Sequence, residues 1–339
     1  MLYLVSLLPV VLFLILLILM DSFSIVRKGQ LAIAICWGMS VCIALFQLFK
    51  YISLPDSEIV TPIVEELFKS LLLLYFIYKS KMAFFIDSAI YGAAVGVGFS
   101  LVENMIYISS FPDMLVGTAI FRGFGTAFMH AGVTAITGGI MNLVSISFRF
   151  APKSSGVGRL SKPLINLLIV AAMLPAVIIH LLYNLYLLDK LPSLVTMAIP
   201  LLGLSTLLIL LFQWDVNRIR SWIDNGINAN VELLAQIKRG ELAHTVAGEY
   251  ILSIKENFKA EKVFDMCCYL IVSLELSIAI RRNMMLKEVG LKLPVKEDNS
   301  DKVKEYYALR ANIGKTGEIA LSPVLSNLHL NKWMIDSLK

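Results

Sequence analysis

The sequence predicts an all-α membrane protein, a polytopic transmembrane helical bundle of about seven spans, and three observations support this fold class. Hydrophobic residues make up 58% of the 339 residues, and the mean hydropathy is +0.76, far too apolar for a soluble domain of this length. The apolar residues fall in blocks of about 20, the length that crosses roughly 30 Å of hydrocarbon. Basic residues recur in every second loop, as the positive-inside rule requires.

The apolar blocks predict spans at 2–21, 31–50, 58–78, 83–109, 117–147, 163–188 and 194–213. Residues 2–20 have no basic segment before them and no small-residue cleavage site after them, so we expect a retained helix and not a signal peptide. Basic residues follow the first, third, fifth and seventh spans: Arg27, Lys28, Lys79, Lys81, Arg149, Lys153, Arg159, Lys162, Arg218 and Arg220. The other loops carry Asp56, Glu58, Asp113 and Asp189 with Lys190. We therefore expect the N-terminus outside and the C-terminus inside.

Residues 214–339 contain more than half of the charged residues, and helical periodicity extends over 228–258 and 260–288. The apolar run 266–280 is short and contains Glu275, which favours a buried helix of a cytosolic domain over an eighth span. Residues 294–302 (PVKEDNSDK) are predicted to be a polar linker. We therefore divide the chain into a membrane core, 1–213, and a cytosolic helical extension, 214–339, whose role and partner the sequence leaves open.

Charge and cysteine content exclude several function classes. A net charge of +5 reflects cytosolic loops and tail better than a surface for nucleic acid, so we expect no nucleic-acid partner. The four cysteines have neither the spacing of a zinc knuckle nor that of a secreted disulfide framework.

Ionisable residues inside a span are candidates for function, because a charge in the bilayer centre is costly. The predicted spans contain Glu65, Glu66, Lys69, Asp87, Glu103 with Asn104, Arg122, His130, and His180 with Asn184. At about 1.5 Å per residue, Glu65, Glu103 and His180 lie roughly 9–12 Å below the same outer surface. His130 lies about two turns below Arg122 on the long fifth span. The predicted topology thus brings four polar positions from four helices into one layer.

These residue types favour water activation and hydrolysis of an amide bond. A carboxylate in a low-dielectric bundle can act as a general base, and carboxylates with imidazoles can hold a zinc ion with an open position for water. His180 and Asn184 are four residues apart, so both can face one developing oxyanion. Structural readings stay open as well: a Glu65–Lys69 salt bridge within one helix, hydrogen bonding of His180 and Asn184 between helices, or the polar core of a transporter.

Four motifs in order resemble those of the PrsW family of intramembrane proteases, which belongs to the superfamily that includes CAAX prenyl proteases and bacteriocin-immunity proteins. They are EELFK (65–69), D-x3-YG-x3-G-x-GF-x3-EN (Asp87 to Asn104), R-x7-H (Arg122 to His130) and H-x3-N (His180 to Asn184). The resemblance covers roughly residues 1–213. Phe99 to Glu103 has the F-x3-E form of PrsW in place of the F-x3-H form of CAAX proteases.

The resemblance implies a peptidase, of metallo- or glutamic type, in a multi-pass bacterial-type cytoplasmic (inner) membrane. It implies Glu65 as the water activator, Glu66, Glu103 and His130 as residues that position water or metal, and His180 with Asn184 on the oxyanion side. Lys69, Asn104 and Arg122 are expected to support the site. Zn²⁺, held by Glu65, Glu103, His130 and His180, and a metal-free glutamate mechanism both stay open, because no H-E-x-x-H motif is present.

The resemblance also implies the substrate, a single-span membrane protein resembling an anti-sigma factor that is cut on its outer side. The predicted depth of the polar layer agrees with that side, whereas a CAAX protease works near the cytosolic face. A catalytically idle immunity or binding protein, and a transporter, are the alternatives.

Overall fold

The structure, a computed structural model, describes residues 1–52, 59–149, 162–188, 193–291, 299–325, 328, 330 and 332–338. Within these ranges the chain forms helices and no strands, which confirms the predicted all-α class. The α-helices are α1 (Leu2–Leu19), α2 (Lys28–Ile52), α3 (Val60–Tyr78), α4 (Phe85–Ser110), α5 (Val116–Phe121), α6 (Ala127–Arg149), α7 (Lys162–Ala171), α8 (Leu174–Leu182), α9 (Ser193–Ala198), α10 (Ser205–Lys238), α11 (Val246–Ile254), α12 (Ala260–Glu288), α13 (Ser300–Leu325) and α14 (Lys332–Asp336). Three π-helical segments, Arg122–Thr126, Tyr183–Leu188 and Ile199–Leu204, continue α5, α8 and α9.

Seven helical stretches of the described chain are long and apolar enough to cross a membrane: Leu2–Leu19, Lys28–Ile52, Phe85–Ser110, Val116–Ser147, Pro163–Leu185, Leu194–Lys238 and Ala260–Glu288. Six of them coincide with predicted spans. Helix α3 is not in this set, because three charged residues in one short helix exceed what an ordinary span carries. We retain α3 as a span because its charges face inward: Glu66 and Lys69 are fully buried, whereas Leu67, Phe68 and Leu71 are exposed.

Helix α12 is apolar enough to span a membrane, yet it is packed like a core helix. Of its most apolar 18 residues, 56% are buried, between the 22–33% of α1, α2, Pro163–Leu185 and Leu194–Lys238 and the 83–94% of Val116–Ser147 and Phe85–Ser110. It packs on α13, where the Tyr269 hydroxyl donates to the Tyr306 hydroxyl at 2.9 Å. The contact with α13 is what a buried helix would make, and the location of α12 outside the membrane remains a prediction.

Several predicted boundaries need correction. The last predicted span, 194–213, is α9 followed by a π-helical segment and α10, which runs on to Lys238 without a break. The periodic stretch 228–258 is two helices, α10 and α11, because Gly240 adopts a positive φ of 80° that ends α10. The predicted linker 294–302 lies partly outside the described residues, and its last residues form the first turn of α13. Asp56, Glu58, Lys153, Arg159, Asp189 and Lys190 also lie outside them.

The chain divides into two compact units. The first is built from α1 to α9 with the start of α10 up to Asp215, and the second contains Ser22–Ser24 and the chain from Val216 onward. In the first unit, α4 is the central helix, packed between α2 and α6. Glycines permit this approach. A Cβ on Gly98 would lie 2.1 Å from the Ile35 carbonyl oxygen of α2, and one on Gly96 would lie 2.5 Å from the His130 carbonyl oxygen of α6. In the second unit, α12 and α13 enclose a hydrophobic core.

Candidate active site

The charged side chains of α3 are part of a buried polar cluster in the first unit. Glu65, Glu66 and Lys69 lie within about one helical turn, so Lys69 reaches both carboxylates. Its Nζ atom donates a hydrogen bond to Glu66 Oε1 at 2.9 Å and lies 3.6 Å from Glu65 Oε2. The ammonium also lies 3.9 Å from the centre of the Phe99 ring of α4, a cation–π contact. Lys69 is therefore a buried cation with two anionic neighbours and not a snorkelling surface lysine.

His180 of α8 faces both carboxylates with different nitrogens. Its Nδ1 atom lies 3.0 Å from Glu66 Oε1, and because a carboxylate only accepts, Nδ1 donates this bond. In the neutral ring, Nε2 is then the acceptor nitrogen, and it lies 4.0 Å from Glu65 Oε2. This distance is too long for a direct hydrogen bond. The lone pairs of Glu65 Oε2 and His180 Nε2 therefore face each other across this 4.0 Å gap.

His130 of α6 has a charged partner at each ring nitrogen. Lys69 Nζ lies 2.8 Å from Nδ1 and, as an ammonium, donates this bond, so the proton of the neutral ring is on Nε2. Nε2 lies 3.1 Å from Glu103 Oε2 of α4. The Phe99 ring, 5.2 Å away between centroids, and the His180 ring, 4.7 Å away and nearly perpendicular, fix the plane of the imidazole.

Arg122 links Glu103 to α1. Its Nη2 atom lies 3.1 Å from Glu103 Oε1, and its Nε atom donates to Asn104 Oδ1 at 2.9 Å. Asn104 Nδ2 in turn donates to the Ser6 carbonyl oxygen of α1 at 3.3 Å. Arg122 begins the π-helical segment between α5 and α6, and such segments often occur at functional sites. Polar contacts thus run without interruption from α1 to α8.

Three carboxylate oxygens of this cluster, Glu65 Oε2, Glu66 Oε2 and Glu103 Oε2, are buried and have no hydrogen-bond partner among the described residues. The 3.1 Å approach of His130 to Glu103 is an ion-pair contact that is not aligned as a hydrogen bond. Buried acceptors normally have a donor, so these oxygens are acceptors that a proton, a water or a cation could satisfy. One ligand atom each of Glu65, His130 and His180 lie within 4.8 Å of one another. Two imidazoles and a carboxylate are a donor set that suits zinc with an open position.

The structure brings together the four positions of the predicted layer, Glu65, Glu103, His130 and His180, with Glu66, Lys69, Asn104 and Arg122. Glu103 has its own contacts in this layer but is not in the group of three that could share one ion. Asn184 is half-buried in the π-helical segment after α8, and its amide has no hydrogen-bond partner in the described part of the chain. Asp87, in contrast, caps the start of α4 by accepting from the backbone nitrogens of Ala83 and Phe84.

Neither the central position of Lys69 nor the contact between Tyr183 and Thr126 was predicted from the sequence. Lys69 was expected only to support the site, but its ammonium touches Glu65, Glu66 and His130. The buried Tyr183 hydroxyl lies 3.3 Å from Thr126 Oγ1, joining two of the π-helical segments. The sequence feature that could have indicated the role of Lys69 is its position, four residues after Glu65 and three after Glu66. No signal marked the tyrosine, because a Tyr beside an apolar run is ordinary.

The fold and the cluster define a polytopic membrane protein with a carboxylate–imidazole centre suited to hydrolysis. The family model described as PrsW family intramembrane metalloprotease matches residues 27–212, just over half of the chain. The chain therefore belongs to the PrsW family and is a membrane peptidase, in agreement with the resemblance seen in its motifs. No match was found among curated proteins or among solved structures.

Proposed function

We propose that this membrane peptidase cleaves single-span membrane proteins resembling anti-sigma factors, near the outer face of a bacterial-type cytoplasmic membrane, with Glu65 as the general base. One observation carries the assignment of the base. Glu65 Oε2 has no hydrogen-bond donor and lies 4.0 Å from the acceptor nitrogen of His180. A water in that gap can donate one hydrogen to each, and its oxygen is then directed at a peptide carbonyl.

The residues around Glu65 keep the water-binding atoms in the state that this role requires. Glu66 accepts from both Lys69 and His180, which keeps His180 Nδ1 protonated and Nε2 free for the water. Glu65 takes the proton of the attacking water and returns it to the leaving amide nitrogen, so each turnover consumes one water and restores the carboxylate. Glu103, Arg122 and Asn104 orient His130 from the opposite side.

A metal fits the same cluster, because Glu65, His130 and His180 supply two nitrogens and one carboxylate oxygen close together. When bound, a zinc ion would polarise the substrate carbonyl and lower the pKa of water. The family is described as metalloproteases, whereas the carboxylates alone also suffice for general base catalysis. We propose zinc as the metal if one is used.

Asn184 is proposed to stabilise the oxyanion. It follows His180 by four residues, and its half-buried amide makes no hydrogen bond to a described residue, so the amide is available to a substrate carbonyl. The outer location rests on the positive-inside rule, since basic residues follow every second span. Exposed apolar residues along α1, α2 and α8 are suited to contact with lipid and with a substrate helix.

The experiment compares the N-termini of membrane proteins, by mass spectrometry, in cells that express the wild type or Glu65→Gln at equal levels. Glu305→Gln serves as the matched control, because Glu305 is exposed and lies in the second unit. New N-termini just outside a single-span segment, present with the wild type and the control but absent with Glu65→Gln, are expected. Identical N-termini in all three strains, with folded protein in each, would favour a binding protein or a transporter.

A further inference from the structure

We infer that Lys69 is the resident cation of the cluster and competes with a divalent metal for it. The inference concerns the ligand group of the proposed active site, but it does not depend on peptide cleavage. It starts from the position of one atom. Lys69 Nζ contacts two of the three residues that could share a metal ion, His130 at 2.8 Å and Glu65 at 3.6 Å.

The contacts of His130 give the first reason for competition. Its Nδ1 lone pair accepts from Lys69, and its Nε2 atom lies 3.1 Å from Glu103. A metal ligand must offer a free lone pair, so His130 can bind a metal only after one of these partners leaves. Lys69 is the partner on the side of Glu66 and His180, since its ammonium shares Glu66 Oε1 with His180.

Charge gives the second reason. The cluster holds three carboxylates, Glu65, Glu66 and Glu103, and two cations, Lys69 and Arg122, so one negative charge is in excess with neutral imidazoles. A divalent ion would leave one positive charge in excess inside a low-dielectric bundle, directly beside an ammonium. Removing the lysine charge leaves two negative charges, which one divalent ion neutralises.

The surroundings of Lys69 leave its side chain little room to move out of the cluster. Its side chain is fully buried, packed over the Phe99 ring, and held by Glu66. If a lysine side chain could rotate into solvent, a metal could replace it in the cluster at little cost in free energy. Displacing Lys69 would instead leave the Glu66 carboxylate and the Phe99 ring without their cation. The affinity of the native site for metal is therefore set by how strongly the chain holds Lys69.

The test measures zinc binding to the purified full-length protein in detergent, by calorimetry and by metal content after gel filtration. We compare the wild type, Lys69→Met, Lys69→Arg and Lys50→Met, the last removing an exposed lysine of α2. Lys69→Met is expected to bind one zinc at least tenfold more tightly than the wild type. Lys69→Arg and Lys50→Met should stay within threefold of it. A second substitution, His180→Ala, should abolish the gain.

An affinity of Lys69→Met within threefold of the wild type would overturn the inference. If this variant does not yield a single folded species, the wild type provides a second measurement. With ¹⁵N-labelled histidine, His130 should show an acceptor Nδ1 and a protonated Nε2, and saturating zinc should change the state of one of these nitrogens. Zinc binding that leaves the His130 signals unchanged would also refute the competition. Neither readout requires a substrate, so a failure here is distinct from a failure to find cleavage.

Discussion

Glu65 and Glu66 are adjacent in the chain, yet they face different nitrogens of the same imidazole. Glu66 Oε1 lies 3.0 Å from His180 Nδ1, and Glu65 Oε2 lies 4.0 Å from His180 Nε2. Consecutive residues of a helix point about 100° apart, so the pair reaches around the ring and does not converge on one atom. Glu66 Oε1 accepts hydrogen bonds from Lys69 and His180, whereas Glu65 Oε2 accepts none from a described residue. We therefore expect Glu66 to have a structural role and Glu65 to have the chemical one.

This division predicts that two equivalent substitutions behave differently. Glu66→Gln replaces a buried acceptor that holds Lys69 and His180, and breaking such a pair costs about 3–5 kcal/mol. Glu65→Gln removes a carboxylate whose Oε2 atom accepts no hydrogen bond from a described residue and lies 3.6 Å from Lys69 Nζ, a contact that the amide oxygen of Gln can keep. We therefore expect a loss of stability of about 1 kcal/mol or less. Both should abolish cleavage, and thermal unfolding in detergent separates them. Equal destabilisation by the two would contradict the division.

The contact of Arg122 with Glu103 and Asn104 predicts that Asn104 supports activity by holding Arg122 in place. Asn104→Ala frees Arg122 Nε and should lower kcat about 10- to 100-fold, as outer-shell substitutions commonly do. Asn104→Asp keeps an acceptor for Arg122 and loses the donor to the Ser6 carbonyl. It should retain more activity than Asn104→Ala. The measurement is cleavage of the substrate found by N-terminal profiling, and equal activity of both variants would exclude this role.

The close approach of α4 and α6 at Gly96 predicts a position where one methyl group disturbs the site. A Cβ there would lie 2.5 Å from the His130 carbonyl oxygen and 2.7 Å from the Ala131 Cα atom. Both are backbone atoms, so the helices must separate, at a cost of about 1–3 kcal/mol. Gly96→Ala should lower both the unfolding temperature and the cleavage rate, because His130 moves with α6. Gly117→Ala, which meets nothing within 4 Å, is the control and should unfold at or above the wild-type temperature.

Much of the fold could be predicted from the sequence, because hydrocarbon thickness dictates both helix length and composition. The same reasoning predicted that Glu65, Glu103, His130 and His180 lie at one depth, and the structure brings their side chains into one cluster. Depth along a helix follows from a fixed rise per residue, which is why it could be read before any contact was known.

Other features depend on interactions that a single sequence does not reveal. The direction of the Lys69 side chain depends on the helices packed around α3, so its spacing from Glu65 suggested only an intrahelical pair. The π-helical segments have no composition of their own, and they shift the register of every residue that follows on the helix. The length of α10 beyond residue 213 was missed because hydropathy marks where lipid ends and not where a helix ends.

The amide of Asn184 provides the last prediction. It makes no hydrogen bond to a described residue, so its loss leaves none of these residues without a partner and should change stability by less than about 0.5 kcal/mol. If it donates to the oxyanion, Asn184→Ala should lower kcat about 10²- to 10³-fold and leave KM nearly unchanged, because the charge it stabilises exists only in the transition state. Tyr183→Phe is the matched variant: it removes the neighbouring hydroxyl that contacts Thr126 and should reduce stability more than Asn184→Ala does. Wild-type turnover in Asn184→Ala would assign oxyanion stabilisation to another donor.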